Sequence, residues 1–196
     1  MFHAGGRKFA LDEESIARAP LGVPWTIEVP AGSTLLCVQI RKNVSAEDRT
    51  QYPNSSQANR EPYVRTFRGC TPYGEAIKSA KTVSRTLLPK DIVPRMSVGT
   101  VETAGPDRVG RHSHPMLEQL FIGLRENDCK VSADDALTDF PPLSILHIPL
   151  GSIHGAQVDA GKKLCYIRLD FLTTKAGEKW LKMHKPVVET ATPSSP

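Results

Sequence analysis

Several functional classes are excluded by what this chain lacks. No apolar stretch approaches the roughly 20 residues that a membrane-spanning helix needs. The segment Met1–Ala10 has no apolar core of the kind a secretion signal carries, and Asp12, Glu13 and Glu14 follow it closely. The four cysteines, Cys37, Cys70, Cys129 and Cys165, lie far apart with no C-x-x-C pair. That spacing excludes a zinc ribbon and a dithiol redox motif, and reduced thiols in the cytoplasm are the expectation. The 25 basic residues barely exceed the 21 acidic ones, and no basic run is longer than two. A nucleic-acid surface would gather such an excess into a stripe with interleaved aromatics, so a solvated surface is expected, with no nucleic-acid or membrane partner. Neither an internal repeat nor a helix-turn-helix pattern is visible.

What is present reads as a β-rich domain. A length of 196 residues allows one sizeable core, and 16 prolines and 14 glycines scattered along the chain mark many turns between short strands. Residues 1–20 read as an arm in which Asp12 caps a helix over Glu13–Ala19, stopped by Pro20. Strands are expected around Ile27 and Val29 and again over Leu35–Ile40, on either side of the turn Pro30-Ala31-Gly32-Ser33. The polar stretch 44–62 reads as a long surface loop or partly disordered insert. A strand follows at Tyr63–Phe67. The spacing of Ala76, Ile77, Ala80 and Val83 predicts a helix over Gly74–Val83. Beyond Arg95 the strand signals are firm, at Met96–Val101, Gln119–Leu124, Leu143–Ile148 and Leu164–Phe171. A final helix over Ala176–His184 should turn Trp180, Leu181 and Met183 inward, ahead of a disordered tail over 187–196.

The stretch that carries chemistry is Arg111-His112-Ser113-His114-Pro115-Met116-Leu117-Glu118. Residues two apart on a strand project from one face, so His112 and His114 can reach a common point. After the turn at Pro115, Glu118 can bring a carboxylate there from the next strand. Two imidazoles and a carboxylate with open positions beside them suit a divalent transition metal. Downstream, Pro149-Leu150-Gly151-Ser152-Ile153-His154 places a further imidazole just after a tight turn.

Together, H-x-H-x3-E and P-x-G-x2-H resemble the two signature motifs of the cupin superfamily. The resemblance covers residues 93–172. It implies an all-β fold, a double-stranded β-helix (jelly-roll) barrel with a few peripheral helices, spanning 21–186 with its metal motifs within 105–158. It assigns His112, His114, Glu118 and His154 as ligands of one divalent metal per chain, Fe(II) first, then Mn, Ni or Zn. Turn positions depart from the pattern: the leading glycine falls one place early at Gly105, and Arg125, Leu143 and Val158 stand where Gly, Gly and Asn are usual.

The remaining candidates are weaker. His147 is read as a non-ligand, and His3 and His184 as surface residues. Gln119 lies opposite in parity to Glu118 and is read as exposed or merely supporting. On Leu164–Phe171, the face bearing Tyr166 and Arg168 would hold a substrate carboxylate or enolate if it looked inward, but half-buried strands usually turn their apolar side in. The superfamily resemblance implies an oxidoreductase, a dioxygenase acting on a small oxygen-rich organic substrate. A redox-neutral lyase, isomerase or decarboxylase is the alternative, followed by a non-catalytic small-ligand binder. Homodimers are common among such barrels, so a second copy of the chain is the expected partner.

Overall fold

The structure is a computed structural model that describes residues 1–51, 60–183 and 187–188, in two compact units. The first comprises Met1–Cys70 and Leu87–Pro94, the second Thr71–Thr86 and Arg95 onward.

In the first unit, β1 (Phe2–Ala4) and β2 (Arg7–Phe9) form a hairpin, and β4 (Trp25–Ile27) adds to the other edge of β1. Gly5 and Gly6 join the hairpin with φ of 58° and 74°, the left-handed backbone that a two-residue turn between twisted strands demands. Phe2 is buried there, packed on Phe9 and Trp25. The helix expected over Glu13–Ala19 is instead β3 (Ser15–Arg18), paired antiparallel with β5 (Tyr63–Thr66). Its partner lies almost fifty residues away, beyond the reach of local pattern. The strand expected over Leu35–Ile40 does not form: this stretch has no regular structure, and Leu35, Leu36, Val38 and Ile40 are exposed. Alternating apolar residues make a strand only where a neighbour accepts their hydrogen bonds. The expected loop over 44–62 holds a short helix, α1 (Ala46–Gln51), whose Asp48 amide donates to Ser45 Oγ at 3.1 Å. Residues 52–59 of that stretch lie outside the described residues.

The second unit is the barrel. Its strands are β6 (Pro72–Tyr73), β7 (Val83–Val93, which runs on into the first unit), β8 (Met96–Ala104), β9 (Asp107–Ser113), β10 (Leu117–Gly123), β11 (Cys129–Ala133), β12 (Ala136–Phe140), β13 (Ile145–Ile148), β14 (His154–Val158), β15 (Lys163–Leu172) and β16 (Val187–Val188). One sheet runs in the order β13-β10-β15-β8-β7-β6, the other β12-β11-β14-β9-β16. Between them lies an apolar core that includes Val101, Val109, Phe121, Val131, Phe140, Ile148 and Leu164. These residues come from both sheets, so closing one sheet on the other is what removes them from water. The result is an all-β jelly roll.

Two features of this unit differ from expectation. Residues 74–82 are not helical. They leave β6, which pairs with β7 through Pro72↔Arg85 and Tyr73↔Ser84, and they run beside β9, where the Gly110 amide donates to Ile77 O at 2.8 Å. Asp107 then ties the segment down by accepting the hydroxyls of Ser79 and Thr82 at 2.7 and 3.1 Å. These long-range bonds outweigh the weak helical periodicity. The final helix does form, as α2 (Lys175–Met183), with its Gly177 amide donating to Thr174 Oγ1 at 3.3 Å. The side chains of Leu181 and Met183, and all of His184 and the tail from 189, lie outside the described residues. Among the described residues, no helix is long and apolar enough to cross a membrane, and all four cysteines are free.

Candidate metal centre

The two histidine motifs meet because their strands are neighbours. β14 pairs antiparallel with β9, and His154 lies directly opposite His112. His114 follows the end of β9. The turn before His154 closes as the sequence suggests: Gly151 takes φ of 81°, the Ser152 amide donates to Pro149 O at 3.1 Å, and the Gly151 amide donates to His114 O at 3.3 Å. The second motif's turn is therefore fastened to the first motif's backbone.

The three imidazoles cluster tightly. Ring centroids are 4.8 Å apart for His112–His114, 4.4 Å for His112–His154 and 5.4 Å for His114–His154. Their ligand atoms all lie within 4.8 Å of one another. Two rings are held in defined tautomers: His112 Nδ1 donates to Gly110 O at 2.8 Å and His154 Nδ1 to Ser152 O at 3.0 Å. Each Nε2 then keeps its lone pair for an ion. Burial keeps both rings neutral. It pushes His112, with repulsion from His154 added, down from 6.5 to about 4, and it also lowers His154. Trp180 of α2 stands edge-on to His114, with ring centroids 6.4 Å apart.

Glu118 does not join this cluster. It sits on the opposite face of β10, half-exposed, with the half-exposed His147 3.9 Å away. His147 is not among the three clustered imidazoles. The inward position belongs to Gln119, which is 4% exposed, so of the two readings given for it, exposed or supporting, the exposed one does not hold. The turn after His114 sets the register of β10, and along that strand Leu117, Gln119 and Phe121 face in. Spacing alone did not decide between adjacent residues. Gln119 Nε2 donates to Asp170 Oδ1 at 2.8 Å, while its Oε1 is buried with no hydrogen-bond partner. A buried amide oxygen left unbonded costs free energy unless a ligand uses it. Three imidazoles and an unclaimed amide oxygen form a donor set that fits one divalent transition metal.

β15 turns its polar side inward, contrary to the usual rule. Tyr166, Asp170 and Leu164 are buried, while Cys165, Ile167 and Phe171 on the other face are half-buried. Inside, Arg168 pairs with Asp170 and donates to Tyr73 Oη at 2.8 Å, and Asp170 also accepts Ser97 Oγ at 2.9 Å. Burial works against the guanidinium charge, but the adjacent Asp170 carboxylate more than restores it. Tyr166 stacks on Phe121 with centroids 4.6 Å apart, and burial drives its hydroxyl well above the ordinary tyrosine range.

These groups open onto one cavity of about 610 Å³, lined by the three histidines, Gln119, Tyr166 and Arg168 together with Glu75 and Lys78. That volume suits a small organic molecule. Glu75 and Lys78, on the segment misread as a helix, have no sequence signal that marks them; only the pairing of 77–78 along β9 brings them here.

No family model matches the sequence, and no curated protein is similar to it. Solved structures are. A predicted oxalate decarboxylase from Thermotoga maritima superposes with a TM-score of 0.50 at 13% identity, over 54% of this chain and 96% of that one. The cupin domain of Schizosaccharomyces pombe Cnp3 gives 0.50 at 9% identity, over 63% of this chain and 87% of that one. At such identities the likeness speaks to the fold, and the chain has the fold of the cupin superfamily.

Proposed function

We propose that this chain is a metal-dependent enzyme that holds one divalent transition metal on His112, His114, His154 and the Gln119 amide oxygen, and acts on a small oxygen-rich organic molecule. The observation that carries this reading is the unbonded, buried Gln119 Oε1 beside three imidazoles, two of them fixed in the ligating tautomer. Four protein donors leave about two positions of an octahedron for a bidentate substrate or for substrate and dioxygen. When bound, the ion would supply Lewis-acid polarisation of a substrate oxygen or, as Fe(II), one-electron chemistry with O₂.

The protein's own contributions are clearer. The backbone carbonyls of Gly110 and Ser152 orient two rings, Asp170 orients the Gln119 amide, and the apolar wall of Phe121, Val101 and Val109 keeps the site dry. The cupin likeness in the motifs puts a dioxygenase first. A second, redox-neutral reading, as lyase, isomerase or decarboxylase, is favoured by the ion-paired Lys78 and Glu75 in the same cavity, since proton-carrying groups beside a polarised carbonyl are what such reactions use. The deciding experiment loads purified protein with Fe(II) and follows oxygen consumption across a panel of hydroxy acids, 2-oxo acids and diketones. Uptake supports the dioxygenase. Turnover without uptake, with Mn or Ni as well as iron, supports the second reading, and no turnover with any metal overturns the enzyme.

A further inference from the structure

Lys78, like Gln119, is a cavity residue whose hydrogen bonding is left open. Its side chain is only 3% exposed, and its ammonium is ion-paired with Glu75 and donates to Ser84 Oγ at 2.7 Å. An ammonium carries three N–H donors. Two are used, and the third has no acceptor among the described residues. A buried donor in a cavity wall, left without a partner, marks the place of a ligand acceptor.

Charge identifies the kind of acceptor. Within the cavity Lys78 is balanced by Glu75, and Arg168 by Asp170. An imidazole binds a metal only as the neutral ring, and an amide has no charge. The carboxylate that the sequence motif would have supplied, Glu118, faces away. A divalent ion on these donors therefore brings two positive charges that the protein does not cancel. A ligand with two negative charges does, and buried charge is tolerated only when it is matched.

Resting on the metal reading above, we infer that Lys78 is the specificity-determining residue of the cavity, donating its third N–H to the distal carboxylate of a dianion whose other end chelates the metal. The ligand class is a small dicarboxylate with a keto or hydroxy oxygen beside one of its carboxylates. Burial lowers the lysine's pKa, and Glu75 opposes that shift by favouring the charged form. The Glu75 carboxylate thus offsets part of the cost of burying the ammonium.

The test uses the full chain loaded with cobalt(II), whose visible absorption reports ligands entering its coordination sphere. Three probes chelate alike: 2-oxobutanoate lacks a distal carboxylate, while 2-oxoglutarate and 2-oxoadipate carry one at two reaches. The wild type should bind at least one of the two dicarboxylates about tenfold or more tighter than 2-oxobutanoate. Lys78→Met should erase that advantage while leaving the affinities for cobalt and 2-oxobutanoate unchanged. Lys78→Gln, which keeps N–H donors but removes the charge, should cut the advantage, and it decides the matter alone if the methionine variant does not fold. Equal binding of all three acids by the wild type, an advantage that survives Lys78→Met, or one that Lys78→Gln leaves undiminished overturns the inference. Failure of cobalt to bind, seen before any acid is added, overturns the metal reading and this inference with it.

Discussion

Two adjacent residues carry the argument at its smallest scale. Glu118 and Gln119 differ by one atom in the head group beyond chain position, yet they stand on opposite faces of β10, one half-exposed and one buried against Asp170. Glu118→Gln should leave metal affinity unchanged, whereas Gln119→Ala should weaken it by about tenfold or more; competition with a chelating dye measures both. The cluster of three imidazoles was legible, because H-x-H puts two on one strand face and P-x-G sets up a third. The facing of Glu118 was not, because the turn at Pro115-Met116 resets the alternation of facing, and β10 has apolar residues on both sides, Leu117 and Phe121 inward, Leu120 and Ile122 outward. Such a strand gives no pattern from which to read which side is in.

His112 supplies a pH prediction. Its folded pKa is lowered from 6.5 to about 4, first by burial and then by His154. Between those values the unfolded chain takes up a proton that the folded, metal-free chain refuses, so stability is complete above about pH 6.5 and is lost as pH falls toward about 4, by an amount on the order of 3 kcal/mol. Thermal melts of the metal-free protein should show that decline, and His112→Gln should flatten it. A decline of equal size in the variant would place the titrating group elsewhere.

Among elements, the segment 74–82 matters most, since it carries Lys78 and Glu75 into the cavity wall. Its anchor is Asp107, which accepts the hydroxyls of Thr103, Ser79 and Thr82 and the Arg108 amide. Partial burial works against the carboxylate, but these four bonds outweigh it and hold Asp107 down at about 2. The anchoring is therefore present above the ordinary aspartate range and is lost as pH falls toward about 2. Asp107→Ala should destabilise the fold by about 1–3 kcal/mol and raise hydrogen exchange at Ile77 and Lys78, whose backbone lies along β9. Unchanged exchange there would mean that β9 alone holds the segment. None of this was legible from Ala76, Ile77, Ala80 and Val83, whose spacing fits a helix. The competing bonds come from residues 25 to 33 positions away. β15 misled for a related reason: its inward Arg168 and Asp170 read as a solvent face until Tyr73, Ser97 and Gln119 are seen to satisfy them.

At the scale of the whole molecule, the barrel's stability should rest on its apolar core rather than on the metal. Phe140, Leu164 and Val131 are all but inaccessible to water, and they close one sheet on the other. Phe140→Ala should cost about 3–5 kcal/mol, read from denaturant unfolding. Removing the metal should leave the β-rich circular dichroism intact and cost only the mass-action stabilisation of a bound ligand, a few kcal/mol at saturation. Of the barrel strands after Arg95, β8, β10, β13 and β15 were legible because each is a short apolar run bounded by turn residues. The strands of the first unit were less so, because β3 finds its partner only at β5. The central claim concerns where an ion sits, and anomalous diffraction from a crystal of the cobalt-loaded protein tests that most directly. The account predicts one peak, bonded to nitrogens of His112, His114 and His154 and to Gln119 Oε1, with Glu118 remote from it. A peak bonded to Glu118, a peak away from the histidines, or no peak in protein that has taken up cobalt would contradict it.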